Sequence, residues 1–232
     1  MLTLGGASAA YATDYTCNEG GNPPPTGSYP GGVVPPSGTY IDGDVNITES
    51  GDCTLDGDLA ASGTITITAG GAVNIQSVYA NSDINIYPGS TLTANDIETY
   101  SESDGSITIE PGDTATINGD VLATVDLEIY SSANLTITGF AESYTGSLDI
   151  ETGNVEIDDV VNSATWIDIN ASNDSIMITG DVTANHSDGN NDILLQAQNN
   201  IQTGNIYDSG SPGNGLVEID DNLFMRRLPI TN

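Results

Sequence analysis

Gly63-Thr64-Ile65-Thr66-Ile67-Thr68-Ala69-Gly70-Gly71-Ala72-Val73-Asn74-Ile75-Gln76-Ser77-Val78 contains three short apolar pieces in one breath of chain. Ile65 and Ile67 alternate with Thr, which is the period of an extended strand with one buried side. Val73 and Ile75 repeat the alternation after a Gly-Gly break, and Val78 adds a third apolar position. Outward from this stretch the first alternation recurs as Val45-x-Ile47, Ile84-x-Ile86, Ile107-x-Ile109, Leu127-x-Ile129, Leu148-x-Ile150, Ile167-x-Ile169, Ile193-x-Leu195 and Val217-x-Ile219. With Ile65 included, successive starts lie 20, 19, 23, 20, 21, 19, 26 and 24 residues apart. Such a ruler marks a repeat protein.

The second alternation recurs as Cys53-x-Leu55, Ala115-x-Ile117, Leu135-x-Ile137, Val155-x-Ile157 and Ile176-x-Ile178. The third position recurs at Leu59, Ile97, Val121, Phe140, Val160, Val182 and Ile206. Three short strands per interval, separated by Gly, Asn, Asp and Ser, predict an all-β chain: a single-stranded parallel β-helix, or β-solenoid, of roughly nine coils of about 19–26 residues. A helical reading fails, because no window sustains a 3.6-residue period and β-branched residues dominate the apolar set. The Gly-Asp corners at 42–45, 56–59, 118–121 and 179–182 are expected to be turns where Gly supplies φ > 0.

Charge then narrows the function. Thirty-three acidic residues stand against two basic ones, a formal net charge of −31, and both basic residues are Arg226 and Arg227. A chain without Lys cannot neutralise a run of phosphates, so nucleic acid is excluded as a partner. Anionic membrane surfaces are disfavoured for the same reason, and no apolar run reaches the length of a membrane span. The expected organisation is a signal-peptide remnant at 1–12, a Pro/Gly-rich extension at 13–40, the β-helix at 41–223 and a tail at 224–232. Residues 1–12 end in Ala10-Tyr11-Ala12, an Ala-x-Ala pattern that suits a signal peptidase. Cys17 and Cys53 are the two cysteines. A disulfide between them would tie the extension to the first coil; alternatively Cys53 is an inward packing residue like Leu55.

Gly63–Ile75 and Asp192–Ile206 resemble repeats of filamentous-haemagglutinin-type adhesins, and the resemblance covers residues 41 to 223. It implies a secreted right-handed β-helix at the cell surface. The Gly-Asp-Val corners are similar to those of bactofilins, whose β-helices polymerise end to end. No catalytic role is expected. Lyases on this fold need a basic residue to take a proton, and the coils hold none. His186, the one histidine, lies in a polar loop. No nucleophile elbow, phosphate loop or zinc motif appears.

Three groups of residues are candidates for recognition. In every coil with extra residues the insertion precedes the first strand, at Glu98–Gly105, Ser143–Gly146, Asn185–Asn191 and Asp208–Gly215. Tyr79, Tyr100, Tyr144 and Tyr207 fall at or near that corner, where aromatic rings stack on sugars. Alternation points Glu128, Asp149 and Asp168 outward in three successive coils, flanked by Glu110, Asp126 and Glu151. Their mutual repulsion would be relieved by calcium, which takes hard oxygen ligands; no cofactor is required. Finally, Phe224, Met225, Arg226, Arg227, Leu228 and Ile230 join the chain's positive charge to apolar side chains, an end able to meet an acidic neighbour. The expected function is an extracellular structural and adhesive β-solenoid, a subunit of a head-to-tail surface fibre with itself and surface glycans as partners. The alternative is a carbohydrate-binding or carbohydrate-cleaving secreted β-helix.

Overall fold

The computed structural model describes residues 13–15, 17, 38–55, 57–101, 104–185, 192–208 and 216–221. They form a parallel β-solenoid with three sheets of ten, eight and nine strands, and no helix occurs among them. One coil runs from Ile65–Ala69 on the first face, through Val73–Asn74 on the second, to Val78–Ala80 on the third. The chain then returns to the first face at Ile84–Pro88, directly beneath Ile65–Ala69 in register. Eight such turns are complete among the described residues, with a part-turn at each end, in keeping with the roughly nine coils expected from the sequence.

Alternation explains the packing. Ile65, Ile67, Val73, Val78 and Ala80 are fully buried, and the same positions of every coil stack into inward columns. Each buried Ile contributes about 1.5–3 kcal/mol by leaving water. The Thr, Asn and acidic residues between them point out, so one strand carries both the core and the surface. Backbone bonds join the coils in the third direction, as from Val45 N to Thr64 O at 2.8 Å and from Ile65 N to Asp83 O at 2.9 Å.

Three expectations are corrected. First, Phe140 and Val160 are not the inward residues of the third face. Val121 pairs with Ala141 and Ala141 with Val161, and it is Ala141 and Val161 that are fully buried. Register, set by the neighbouring coils, overrides the larger side chain. Second, the sheets take in described residues that precede position 41. Thr13–Tyr15 pairs with Val45–Ile47 on the first face, and Gly38–Ile41 pairs with Asp58–Ala61 on the third. Third, the corner glycines divide into two kinds. Gly43 and Gly57 have φ of 107° and 103°, as a left-handed turn requires. Gly119 does not; a Cβ there would lie 2.0 Å from Asp96 Oδ1. The missing side chain lets a carboxylate of the previous coil lie over the corner and accept the backbone N–H of Asp120 at 3.1 Å. The same clasp joins Asp44 to Thr64 N, Asp52 to Ala72 N and Asp181 to Asn205 N, at 2.8–2.9 Å.

At the end of the third face three inward positions carry hydroxyls. Thr99 Oγ1 donates to Gly105 O and Ser163 Oγ to Gly146 O, each at 2.8 Å, and Ser143 Oγ donates to Val125 O. These bonds tie the end of the third face to corner carbonyls of the same or the preceding coil.

Candidate functional site

On the first face, Glu128 pairs with Asp149 and Asp149 with Asp168, so three carboxylates stand in one column on adjacent rungs. Glu110 and Glu151 lie exposed beside them. Tyr130 sits between these two neighbours and donates from its Oη to Asp149 Oδ2 at 2.9 Å. Asp126, whose charge reaches Glu128, is also a corner clasp: its Oδ1 accepts the N–H and the Oγ–H of Ser147, each at 2.8 Å. Burial, followed by the charges of Asp126, Asp149 and Glu110, raises the Glu128 carboxyl above its usual range. Burial and then Asp149 and Glu151 do the same to Asp168. The Tyr130 phenol is pushed well up, chiefly by burial and by Asp149.

The closest group of three carboxylates among the described residues is on another face. Single oxygens of Asp96, Glu98 and Asp120 all lie within 4.8 Å of one another. Asp96 Oδ2 accepts from Ser77 Oγ at 3.2 Å and from Tyr79 Oη at 3.5 Å, while its Oδ1 holds the N–H of Asp120. Glu98 accepts from Tyr100 Oη, and Asp120 Oδ1 accepts from Phe140 N at 3.2 Å. Burial raises the Glu98 carboxyl, an effect that Tyr100 opposes and Asp96 and Asp120 reinforce. Oxygen donors of this kind suit a hard divalent cation, but most are already engaged within the protein.

The four tyrosines do not form one site. Tyr79 and Tyr100 stack on one another, with ring centroids 5.8 Å apart and planes at 28°. Tyr79 and Tyr207 share an outward column of the third face, with Glu98, Leu122, Glu142, Asn162 and Thr183 between them. That is six rungs, or about 29 Å. Tyr144 follows the third face at the corner and is 69 % exposed, and Tyr207 is 51 % exposed. Trp166, which the strand alternation does not single out, is exposed at the same corner as Tyr144, one coil further on. A tryptophan just before a first-face strand, in a chain with no other, is the signal that would have found it.

Cys17 and Cys53 form a disulfide, with Cα atoms 5.0 Å apart. Cys17 comes two residues after the strand Thr13–Tyr15 and takes the place of a second-face strand above Cys53. The tail residues Phe224, Met225, Arg226, Arg227, Leu228 and Ile230 lie outside the described residues, as do His186 and residues 1–12. No described helix is long and apolar enough to cross a membrane.

Set against known families, curated proteins and solved structures, the chain finds no match in any of the three. Its class is defined by architecture: a three-faced parallel β-solenoid with an acidic exterior.

Proposed function

We propose that this chain is an extracellular structural and adhesive β-solenoid, a subunit that joins others head to tail in a surface fibre, with no catalytic role. The observation that carries the reading is how the first face stops. Its last strand, Leu216–Asp221, pairs over six residues with Asp192–Ala197, and no described strand lies on its far edge. A parallel edge of that length, where no strand covers it, is a template for another chain. The rod's acidity opposes lateral contact between copies and leaves the ends as the places to meet. A heterologous end-to-end contact does not close, and so it propagates. Arg226 and Arg227, five and six positions after Asp221 in the chain, carry the opposite charge.

Electron microscopy and sedimentation of the full chain test this. Filaments one solenoid wide are the expected result, and deletion of residues 224–232 should shorten them. Calcium should lengthen them if carboxylates are bridged, and chelator should reverse that. A chain that stays monomeric at high concentration, with calcium present, overturns the reading.

A second reading, carbohydrate binding, is favoured by one observation. The three exposed large apolar side chains among the described residues, Tyr144, Trp166 and Tyr207, all lie on the third face or the corner after it. That corner is also where the sequence carries its extra residues. Replacing Tyr144 and Trp166 by Ala should abolish retention on a polysaccharide that holds the wild type, with unchanged circular dichroism. If no glycan retains the wild type, this reading falls.

A further inference from the structure

The two ends of the first face differ in how firmly their outermost strand is held. At the carboxy-terminal end Leu216–Asp221 is matched by six register pairs, from Asp192↔Leu216 to Ala197↔Asp221. At the amino-terminal end Thr13–Tyr15 is matched by three, Thr13↔Val45, Asp14↔Asn46 and Tyr15↔Ile47. The strand beneath it, Val45–Glu49, pairs over five residues with its next neighbour, Ile65–Ala69. Thr48 and Glu49 therefore have no register partner on the outer side among the described residues. Just beyond Thr13–Tyr15 in the chain, the disulfide anchors Cys17 to the second face of the same turn.

We infer that Thr13–Tyr15 is a guard strand: it occupies the edge of Val45–Glu49, which is the acceptor for Leu216–Asp221 of a second copy, and the disulfide keeps the guard in place. This deepens the head-to-tail reading and rests on it.

Three features fit the acceptor to that one donor. Direction is the first, because every rung of the face is parallel and a coaxial second copy presents Val45–Glu49 parallel to Leu216–Asp221. The inward step is the second. Val217 and Ile219 are in register with the buried Ile193 and Leu195, and Val45 and Ile47 are themselves buried. Setting Val217 on Val45 and Ile219 on Ile47 continues the solenoid with no change of phase, whereas a one-residue slip would turn the apolar positions outward. Charge is the third. In that register Glu218 meets Asn46 and Asp220 meets Thr48, so acidic positions fall on neutral ones. Only the last pair, Asp221 on Glu49, places like charges together.

Competition arises from the same geometry. The guard is a short strand of the same chain, so its effective concentration at the edge is set by the tether, and Cys17–Cys53 makes that tether short. Among the described residues the guard has three pairs, and the donor would gain five. Loosening the guard therefore favours the fibre, and breaking the donor removes it.

The test uses the full-length chain in three variants, monitored by sedimentation and electron microscopy. Cys17→Ser/Cys53→Ser unties the guard without leaving a free thiol. Thr13→Gly/Asp14→Gly/Tyr15→Gly weakens its pairing while leaving the disulfide intact, so a folding defect in one does not silence the other. Each should lower the concentration at which filaments form at least tenfold relative to wild type. Adding Ile219→Pro, which removes a ladder N–H from the donor, should return either variant to monomer, with its sheet circular dichroism retained. If both guard variants raise that concentration or leave it unchanged, or if filaments persist with Ile219→Pro, the guard-and-acceptor assignment is overturned. Wild-type filaments indifferent to all three variants would leave the fibre reading standing and sink this one alone. A wild type and guard variants that never assemble sink both.

Discussion

The first four complete coils and the next three carry the same interior on the first face and opposite exteriors. Inside, Val45 and Ile47, Ile65 and Ile67, Ile84 and Ile86, Ile107 and Ile109 are succeeded by Leu127 and Ile129, Leu148 and Ile150, Ile167 and Ile169, all buried. Outside, the column that begins with Asn46, Thr66, Asn85 and Thr108 turns into Glu128, Asp149 and Asp168. A solenoid core constrains alternate residues and leaves the others free, so surface charge varies along the rod without disturbing the fold. The first-face carboxyls raised above their usual range, Glu128 and Asp168, are both in the acidic half. The neutral half holds the disulfide and the proposed acceptor edge. The difference gives the rod a polarity that its repeats alone do not have.

The largest effect is expected where the two halves agree. Ile86→Ala and Ile129→Ala each empty a fully buried position, and each should cost about 2–5 kcal/mol in denaturant unfolding. Similar losses would hold the comparison together. A loss confined to one half would show that the interiors are not equivalent.

Next comes Cys17→Ser, which acts on the neutral end alone. Closing a loop between residues 17 and 53 is worth about 2–4 kcal/mol. Hydrogen exchange should rise in Thr13–Tyr15 and Val45–Glu49 and stay unchanged in Leu148–Thr152. Uniform loss of protection along the rod would mean that the coils unfold as one unit.

Partly buried carboxyls, three of the four in the acidic half, set the pH response. Glu98, Glu128, Glu142 and Asp168 have their carboxyls raised, mainly by burial, so the folded chain takes up protons that the unfolded chain does not. Their contribution is present below the ordinary carboxylate range and is lost as pH rises through the raised values. Melting temperature should therefore climb as pH falls from neutral toward that range. Glu128→Gln/Asp168→Asn should flatten the climb and stabilise the chain at pH 7. Each carboxylate contact removed is worth up to about 1 kcal/mol in water, and added salt should supply part of the same gain. Asp174, lowered by hydrogen bonds from Asn199 and Ser175, runs in the opposite sense and limits the rise. A melting temperature that falls steadily from pH 7 downward would contradict this account.

The smallest effect is a transplant. Asn85→Asp with Thr108→Glu extends the acidic column into the neutral half beside Glu128 and should cost about 1 kcal/mol or less at low salt, vanishing at high salt. A larger, salt-independent loss would point to packing rather than charge.

Much of this was legible along the chain. Ile65, Ile67, Val73 and Val78 announce one coil, because alternate burial leaves a period-two trace in any strand, and the recurrence of that trace predicts the stacking. The outward column Glu128, Asp149 and Asp168 was readable for the same reason. Phe140 and Val160 misled, since two adjacent residues can both look inward and only the neighbouring rungs choose between them. The group Asp96, Glu98 and Asp120 was not legible, because its members come from two coils and their separation depends on how much chain the corner between them absorbs.

The residue order by itself determined the architecture, the inward columns and the overall acidity, since these arise from local alternation and composition. Tertiary structure alone decided which side chains meet across a corner, which glycines make room for a carboxylate and which described strand is outermost in each sheet. Those are contacts between residues some twenty positions apart, and a rung can be shifted by a single inserted residue without any change in the local pattern.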